Sequence, residues 1–188
     1  LLTRRLPNAR HPAPMSRYRR LYVPGATYFF TARLLDRRSD LLVREVGLLR
    51  TAVALTRKRW PFQIDGAVVL PEVVHMIWVM PADDADFSKR WRLLKSAFSR
   101  HVAPAINLPA GYAARGEKGI WQRRFWEHMI RDAADLDRHR RLIHSAPVQA
   151  GLVARPQDWP EVGLDPRYPK TTAPVPSAPD PAIAANAS

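Results

Sequence analysis

Apolar positions along this 188-residue chain recur with two periods, and the switches between them lay out its elements. Ala26 to Leu35 is dense in β-formers (Thr27, Tyr28, Phe29, Phe30, Thr31) after a turn at Pro24-Gly25, and predicts a first strand. Ser39 is placed to cap a helix from about Asp40 to Arg59. Its inner stripe would be Leu42, Val46, Leu49, Val53 and either Leu55 or Thr56, and Pro61 ends it. Phe62 to Leu70 and Val73 to Met80 read as two strands joined at Pro71-Glu72, and their Val/Ile density suggests the centre of a sheet. Asp86 opens a second helix in which Phe87, Trp91, Leu94 and Phe98 share one side and Lys89, Arg92, Lys95 and Arg100 the other. That aromatic stripe has the period of burial, so it is read as core rather than as a platform for stacking bases. Ala103 to Gly119 is a loop by its prolines and glycines, and Gln122 to Ile130 an edge strand. Asp132 and Asp135 make an acidic first turn for a third helix to about Ser145, with Pro147 as its stop.

The order β-α-β-β-α-β-α predicts an α+β fold: a ferredoxin-like antiparallel sheet with helices packed on one face. Residues 1–15 lack periodicity and read as a flexible basic leader, with Met15 as an ancestral start. Residues 16–160 carry the folded domain, and 161–188 form a Pro/Ala-rich tail expected to be disordered. No apolar run is long enough to cross a membrane. The absence of cysteine excludes disulfides, Cys-type zinc sites and thiol nucleophiles.

Charge narrows the partners. The formal net charge is +13, and it is unevenly spread: residues 1–59 hold 14 basic and three acidic residues, the remainder 16 and 14. Mutational bias accounts for arginine outnumbering lysine, but not for a shortage of acids confined to one segment. A polyanion bound mainly through the N-terminal third is the simplest reading.

Two blocks carry a more specific signal. Leu70 to Trp78 reads Leu-Pro-Glu-Val-Val-His-Met-Ile-Trp, and Trp121 to His128 reads Trp-Gln-Arg-Arg-Phe-Trp-Glu-His. With Tyr18-Arg19-Arg20, Gly25 to Thr31, Arg59 to Ile64, Asp86-Phe87-Ser88, Arg90-Trp91-Arg92, Ile120 to Arg131, and Pro147-Val148 through Gly151-Leu152-Val153, they stand in an order that resembles the REP-associated tyrosine transposases. These are a single-tyrosine branch of the HUH transposases. The likeness runs from about Ser16 to Trp159 and implies a bacterial, cytoplasmic, nucleoid-associated protein.

The resemblance implies metal-dependent cleavage and rejoining of single-stranded DNA through a 5′-phosphotyrosine, with Mg²⁺ or Mn²⁺ held by a histidine–hydrophobic–histidine strand. A strand's period of two sets both imidazoles on one face. In this chain those positions are Val73 and His75. The position of the nucleophilic tyrosine is Leu142, and the polar ligand one helical turn on is Ala146. Only His75 of these four retains the family chemistry, so the resemblance implies lost cleavage and no stable metal binding. Tyr112 and Tyr168 lie in the loop and tail, His139 and His144 flank Leu142, and Glu72 points away from Val73; none is a convincing substitute. Glu127 and His128 adjoin on one strand and so face opposite ways.

Binding rests on other, more numerous positions. The resemblance assigns DNA contacts to Arg17, Tyr18, Arg19, Arg20, Lys89, Arg92, Lys95, Arg123 and Arg124. The implied partner is a single-stranded DNA hairpin of the REP kind, and family members acting as monomers or dimers leave a homodimer open. Three rivals stay open as well: an active transposase with a relocated nucleophile, a non-catalytic regulator masking such hairpins, and the product of a decayed gene. A general RNA-binding protein lacks support, because no RNP-type aromatic motif is present.

Overall fold

The computed structural model describes residues 20–105 and 108–160. The strands β1 (Thr27–Arg33), β2 (Gln63–Val69), β3 (Val73–Val79) and β4 (Trp126–Met129) form one antiparallel sheet in the order β2-β3-β1-β4. That is the expected ferredoxin-like sheet. Between the strands run α1 (Leu41–Arg44), α2 (Val46–Arg59), α3 (Phe87–Arg100), a short α4 (Ala110–Ala113) and α5 (Ala133–Gln149), followed by a 3₁₀ turn at Pro156–Asp158. No helix among the described residues is long and apolar enough to cross a membrane.

Strand alternation sends Tyr28, Phe30, Ala32, Val74, Met76 and Trp78 to one face, where α2 and α3 cover them. Phe87, Trp91, Leu94 and Phe98 of α3 are all fully buried there, so the aromatic stripe is core, as its period predicts. Trp78 and Trp91 stack at 4.8 Å in the middle of this layer. The other face carries Phe29, Val68, Val73 and Ile77 beneath α5, whose Leu136, Ile143 and Ala146 complete a second, smaller cluster. The expectation of helices on one face is therefore corrected: α2 and α3 share a face, and α5 takes the opposite one. Its apolar positions need a surface to bury against, and the α2/α3 face is already filled.

Local chemistry explains where elements begin and end. Asp86 accepts a hydrogen bond from the Lys89 backbone N–H at 2.8 Å, capping α3. Asp132 does the same for Asp135 at the start of α5. Pro147 does not stop α5, which continues to Gln149. Lying in the last turn, it forfeits one backbone hydrogen bond, and Ala150 N–H still reaches Ala146 C=O at 2.9 Å. The helix expected over Asp40 to Arg59 is broken at Glu45, and Thr56 rather than Leu55 faces inward, its hydroxyl donating to the Ala52 carbonyl at 2.7 Å.

Candidate functional site

Five of the sequence-predicted DNA contacts converge. Arg20, Lys89, Arg92, Lys95 and Arg123 line one open groove of about 1260 Å³ between α3 and the segment leading from α4 into β4. Arg100 and Lys118 add two more cations, and Asp83, Asp84, Asp86 and Glu117 bring four carboxylates. Tyr22, Tyr112, Trp121 and Phe125 supply aromatic surface. Arg124 is exposed but does not line the groove, and Arg17, Tyr18 and Arg19 lie outside the described residues.

Several of these cations are held in place. The Arg20 guanidinium lies 4.2 Å from the Phe125 ring centroid, donates to Ser88 Oγ at 3.0 Å and pairs with the buried Glu127 at 3.1 Å. Lys89 pairs with Asp84 at 2.7 Å and sits over the Trp60 ring. Arg123 stacks on Tyr112 at 4.2 Å, donates to the Gly111 carbonyl and pairs with Glu117 at 3.2 Å. That contact is why α4 matters, and the loop's composition hid it. Lys95 Nζ donates to the Gln122 carbonyl at 2.8 Å. Burial, and then the charge of Arg20, pull its pKa down to about 8, so its charge is conditional in a way that an arginine's is not. Arg92 and Arg100 have no carboxylate partner among the described residues and remain exposed.

On the α5 face, Val73, Ile143 and Ala146 belong to one buried apolar cluster with Leu70 and Ile77, against which Trp159 packs. His75 is buried next to it, stacked on Phe29 at 5.6 Å, with Nδ1 2.8 Å from Thr31 Oγ1. Burial first, and Arg33 second, lower its pKa to about 4, so it is neutral at pH 7. Arg140 of α5 pairs with Asp65 on β2. Two residues further, about 200° round the helix axis, Leu142 is 36% exposed and lies outside the apolar cluster. Val73 and Ala146 meet in that cluster, strand alternation puts His75 on the same face as Val73, and Leu142 stands outside the cluster. These four positions supply one imidazole and three hydrocarbon side chains.

A cluster that sequence reasoning treated only in pieces lies beside them. His128 Nε2 is 2.8 Å from Asp135 Oδ2, and His139 Nδ1 donates to the Asp135 backbone carbonyl at 2.8 Å. Arg131 and Arg138 also close on Asp135. Burial alone would raise the Asp135 carboxyl, but the hydrogen bonds from His128 and from the Arg131 backbone and side chain outweigh it and hold it well below its ordinary value. With both oxygens taken by cations, this carboxylate is a strut between β4 and α5. Its neighbour on β4, Glu127, faces the groove instead, as strand alternation requires.

No protein-family model matches the chain. Among curated proteins it is 44% identical over 146 residues to the REP-associated tyrosine transposase of Escherichia coli, covering 78% of this chain and 81% of that one. A Haemophilus influenzae protein assigned to the same family is 37% identical over 147 residues, covering 78% and 84%. A solved structure, of a REP-associated tyrosine transposase bound to a REP hairpin, superposes with a TM-score of 0.67 at 44% identity, over 78% of this chain and 81% of that one. Identity at this level over most of both chains, on a sheet of the same HUH kind, establishes that this chain belongs to the REP-associated tyrosine transposases.

Proposed function

We propose that this chain binds structured single-stranded DNA, hairpins of the REP kind, and does not cleave it. The binding half rests on the groove, where seven basic side chains stand among the rings of Tyr22, Trp91, Tyr112, Trp121 and Phe125. Cations neutralise phosphates, and rings accept unpaired bases, so the lining suits a folded single strand better than a uniform duplex. The pairing of Arg20 with Glu127 and of Arg123 with Glu117 orders those side chains before any ligand arrives, which lowers the entropic cost of binding. That the structural relative was solved with a REP hairpin supports the choice of ligand.

The non-cleaving half rests on the apolar cluster at Val73, Ile143 and Ala146. A hard divalent cation such as Mg²⁺ or Mn²⁺ needs several oxygen or nitrogen donors. The residues at this place do not fit one: Val73 and Ala146 have no donor atom, and His75 already shares Nδ1 with Thr31. Leu142 has no hydroxyl with which to form a phosphotyrosine.

The test pairs binding and cleavage on single-stranded REP-like hairpins with Mg²⁺ or Mn²⁺. The natural chain is compared with a Leu142→Tyr/Val73→His/Ala146→Asn variant, each first checked for a cooperative melt. Binding without cleavage by the natural chain, with cleavage regained by the variant, is the expected result. Cleavage by the natural chain overturns the inactive reading, and absence of binding by the natural chain overturns the ligand.

A further inference from the structure

One imidazole from β4 and one from α5 meet over a single carboxylate. His128 Nε2 is 2.8 Å from Asp135 Oδ2, and His139 Nδ1 is 3.3 Å from Asp135 Oδ1. The two imidazole rings stack at 4.7 Å and 21°. One donor atom from each of the three residues lies within 4.8 Å of the other two, and no other group of three His, Cys, Asp or Glu side chains among the described residues draws together in this way. Asp135 and His139 are buried, whereas the His128 side chain is 26% exposed and leaves one side open to solvent. Arg131 and Arg138 now hold the carboxylate, but their side chains are 63% and 59% exposed, so both are free to turn to water when another cation takes their place.

The donor set selects the ion. Two imidazole nitrogens and one carboxylate oxygen suit a borderline transition metal such as Zn²⁺, whereas Mg²⁺ and Ca²⁺ take oxygen ligands. A ligand carboxylate must be ionised. Burial alone would raise the Asp135 carboxyl, but the hydrogen bonds from His128 and Arg131 hold it well below its ordinary value, so it is ionised at neutral pH. A tetrahedral ion with bonds of about 2.1 Å sets its ligand atoms roughly 3.4 Å apart, so the donors have to close by about an ångström, a side-chain rotation rather than a backbone shift. We infer that His128, Asp135 and His139 form a binding site for one borderline divalent transition metal, Zn²⁺ in the first place, which clamps the β4 edge strand to α5. The site is separate from the positions of Val73, His75, Leu142 and Ala146: the Phe29 ring lies 4.8 Å from His139 and 5.6 Å from His75, between the two. It depends neither on the groove holding DNA nor on the loss of cleavage.

The experiment strips the full chain of metal with a chelator and adds Zn²⁺, or Mg²⁺ as the control. Bound metal is counted after gel filtration, melting is followed with and without the ion, and Co²⁺ serves as a coloured probe of the ligand set. The natural chain is compared with His128→Gln, His139→Gln and His144→Gln, the last on α5 but outside the trio. The natural chain is expected to retain one equivalent of Zn²⁺ and to melt higher with it, while Mg²⁺ does neither. His128→Gln and His139→Gln should each weaken Zn²⁺ by more than roughly tenfold, the least that loss of a group merely supporting a ligand costs, and should lose the Co²⁺ absorption; His144→Gln should keep both. If metal-free His139→Gln does not melt cooperatively, the more exposed His128→Gln decides alone. No retained Zn²⁺, an unshifted melt, retention by His128→Gln, or an equal loss in His144→Gln overturns the inference.

Discussion

The two faces of this sheet are built by opposite means. Under α2 and α3 the chain packs Trp78, Trp91, Phe30, Phe87 and Phe98 into a continuous aromatic layer and keeps its charges outside, along the groove. Under α5 the apolar cluster is smaller, and the buried Asp135 with its histidine partners and a neutral His75 share the space. The first face gives the domain most of its hydrophobic stability. The second is where polar groups are drawn inside at a cost and must be satisfied there. Function on such a scaffold divides in the same way: the groove is decorated on a solid wall, whereas any chemistry on the α5 face has to be accommodated within the packing.

Substitutions on the two faces should separate these roles. Trp78→Ala removes a fully buried ring from the aromatic layer and should cost about 3–5 kcal/mol, read from urea unfolding; a cost below that of Ile143→Ala on the α5 side would reverse the ranking of the faces. Asp135→Asn should cost about 3 kcal/mol, because it leaves Arg131, Arg138 and His128 facing a neutral group. A wild-type midpoint in that variant would mean that the strut between β4 and α5 carries no weight.

Acid should find the α5 face first. His75, with its folded pKa lowered to about 4 from an ordinary 6.5, binds its proton more readily when unfolded. Its contribution is therefore complete above pH 6.5 and is lost as pH falls toward 4, by up to about 3 kcal/mol. The Asp135 contribution, from a depressed carboxyl, is present above the ordinary carboxylate range and is lost only at lower pH. Unfolding free energies of the natural chain and His75→Gln across pH 7 to 4 should converge, and parallel curves would exclude His75 as the source.

The groove should respond more gently. As pH rises through about 8, Lys95 loses its charge, so hairpin affinity should fall by roughly two- to fivefold between pH 7 and 9, and Lys95→Arg should flatten that slope. Smallest of all, Arg92→Ala should reduce the salt dependence of binding by about one unit of log–log slope, since Arg92 has no competing carboxylate among the described residues. An unchanged slope would place Arg92 off the phosphate path.

What the sequence made legible followed from periodicity and caps. The α3 stripe of Phe87, Trp91, Leu94 and Phe98 and its Asp86 cap are where the pattern puts them, because one helix with one buried face obeys one period. The break at Glu45 was hidden, because the residues on both sides of it are compatible with an unbroken helix. The side of the sheet taken by α5 was hidden too: amphipathicity shows that a helix has an inner face, not which surface it meets. For the site, the sequence supplied the cations one by one, but the groove joins segments some 100 residues apart, from Arg20 to Arg123, and only the fold sets them together. Arg124, next in sequence to a lining residue, is left out for the same reason. The Asp135 network escaped because its acidic residue reads as ordinary first-turn charge until two arginines and two histidines are seen to close on it.

The apolar cluster under α5 bears on the history this chain can still take. Val73 and Ala146 are buried against Ile143 in the same packed volume. Restoring a histidine at 73 alone, or an asparagine at 146 alone, would bury a polar group without a partner, at about 1–3 kcal/mol in a fold whose whole margin is only several times that. On the non-cleaving reading proposed above, neither reversion yields chemistry by itself, so each would be selected against before the next could arise. Once hydrocarbon fills such a site, return requires several coordinated changes at once, while drift among apolar residues stays free; the packing acts as a ratchet on the lineage.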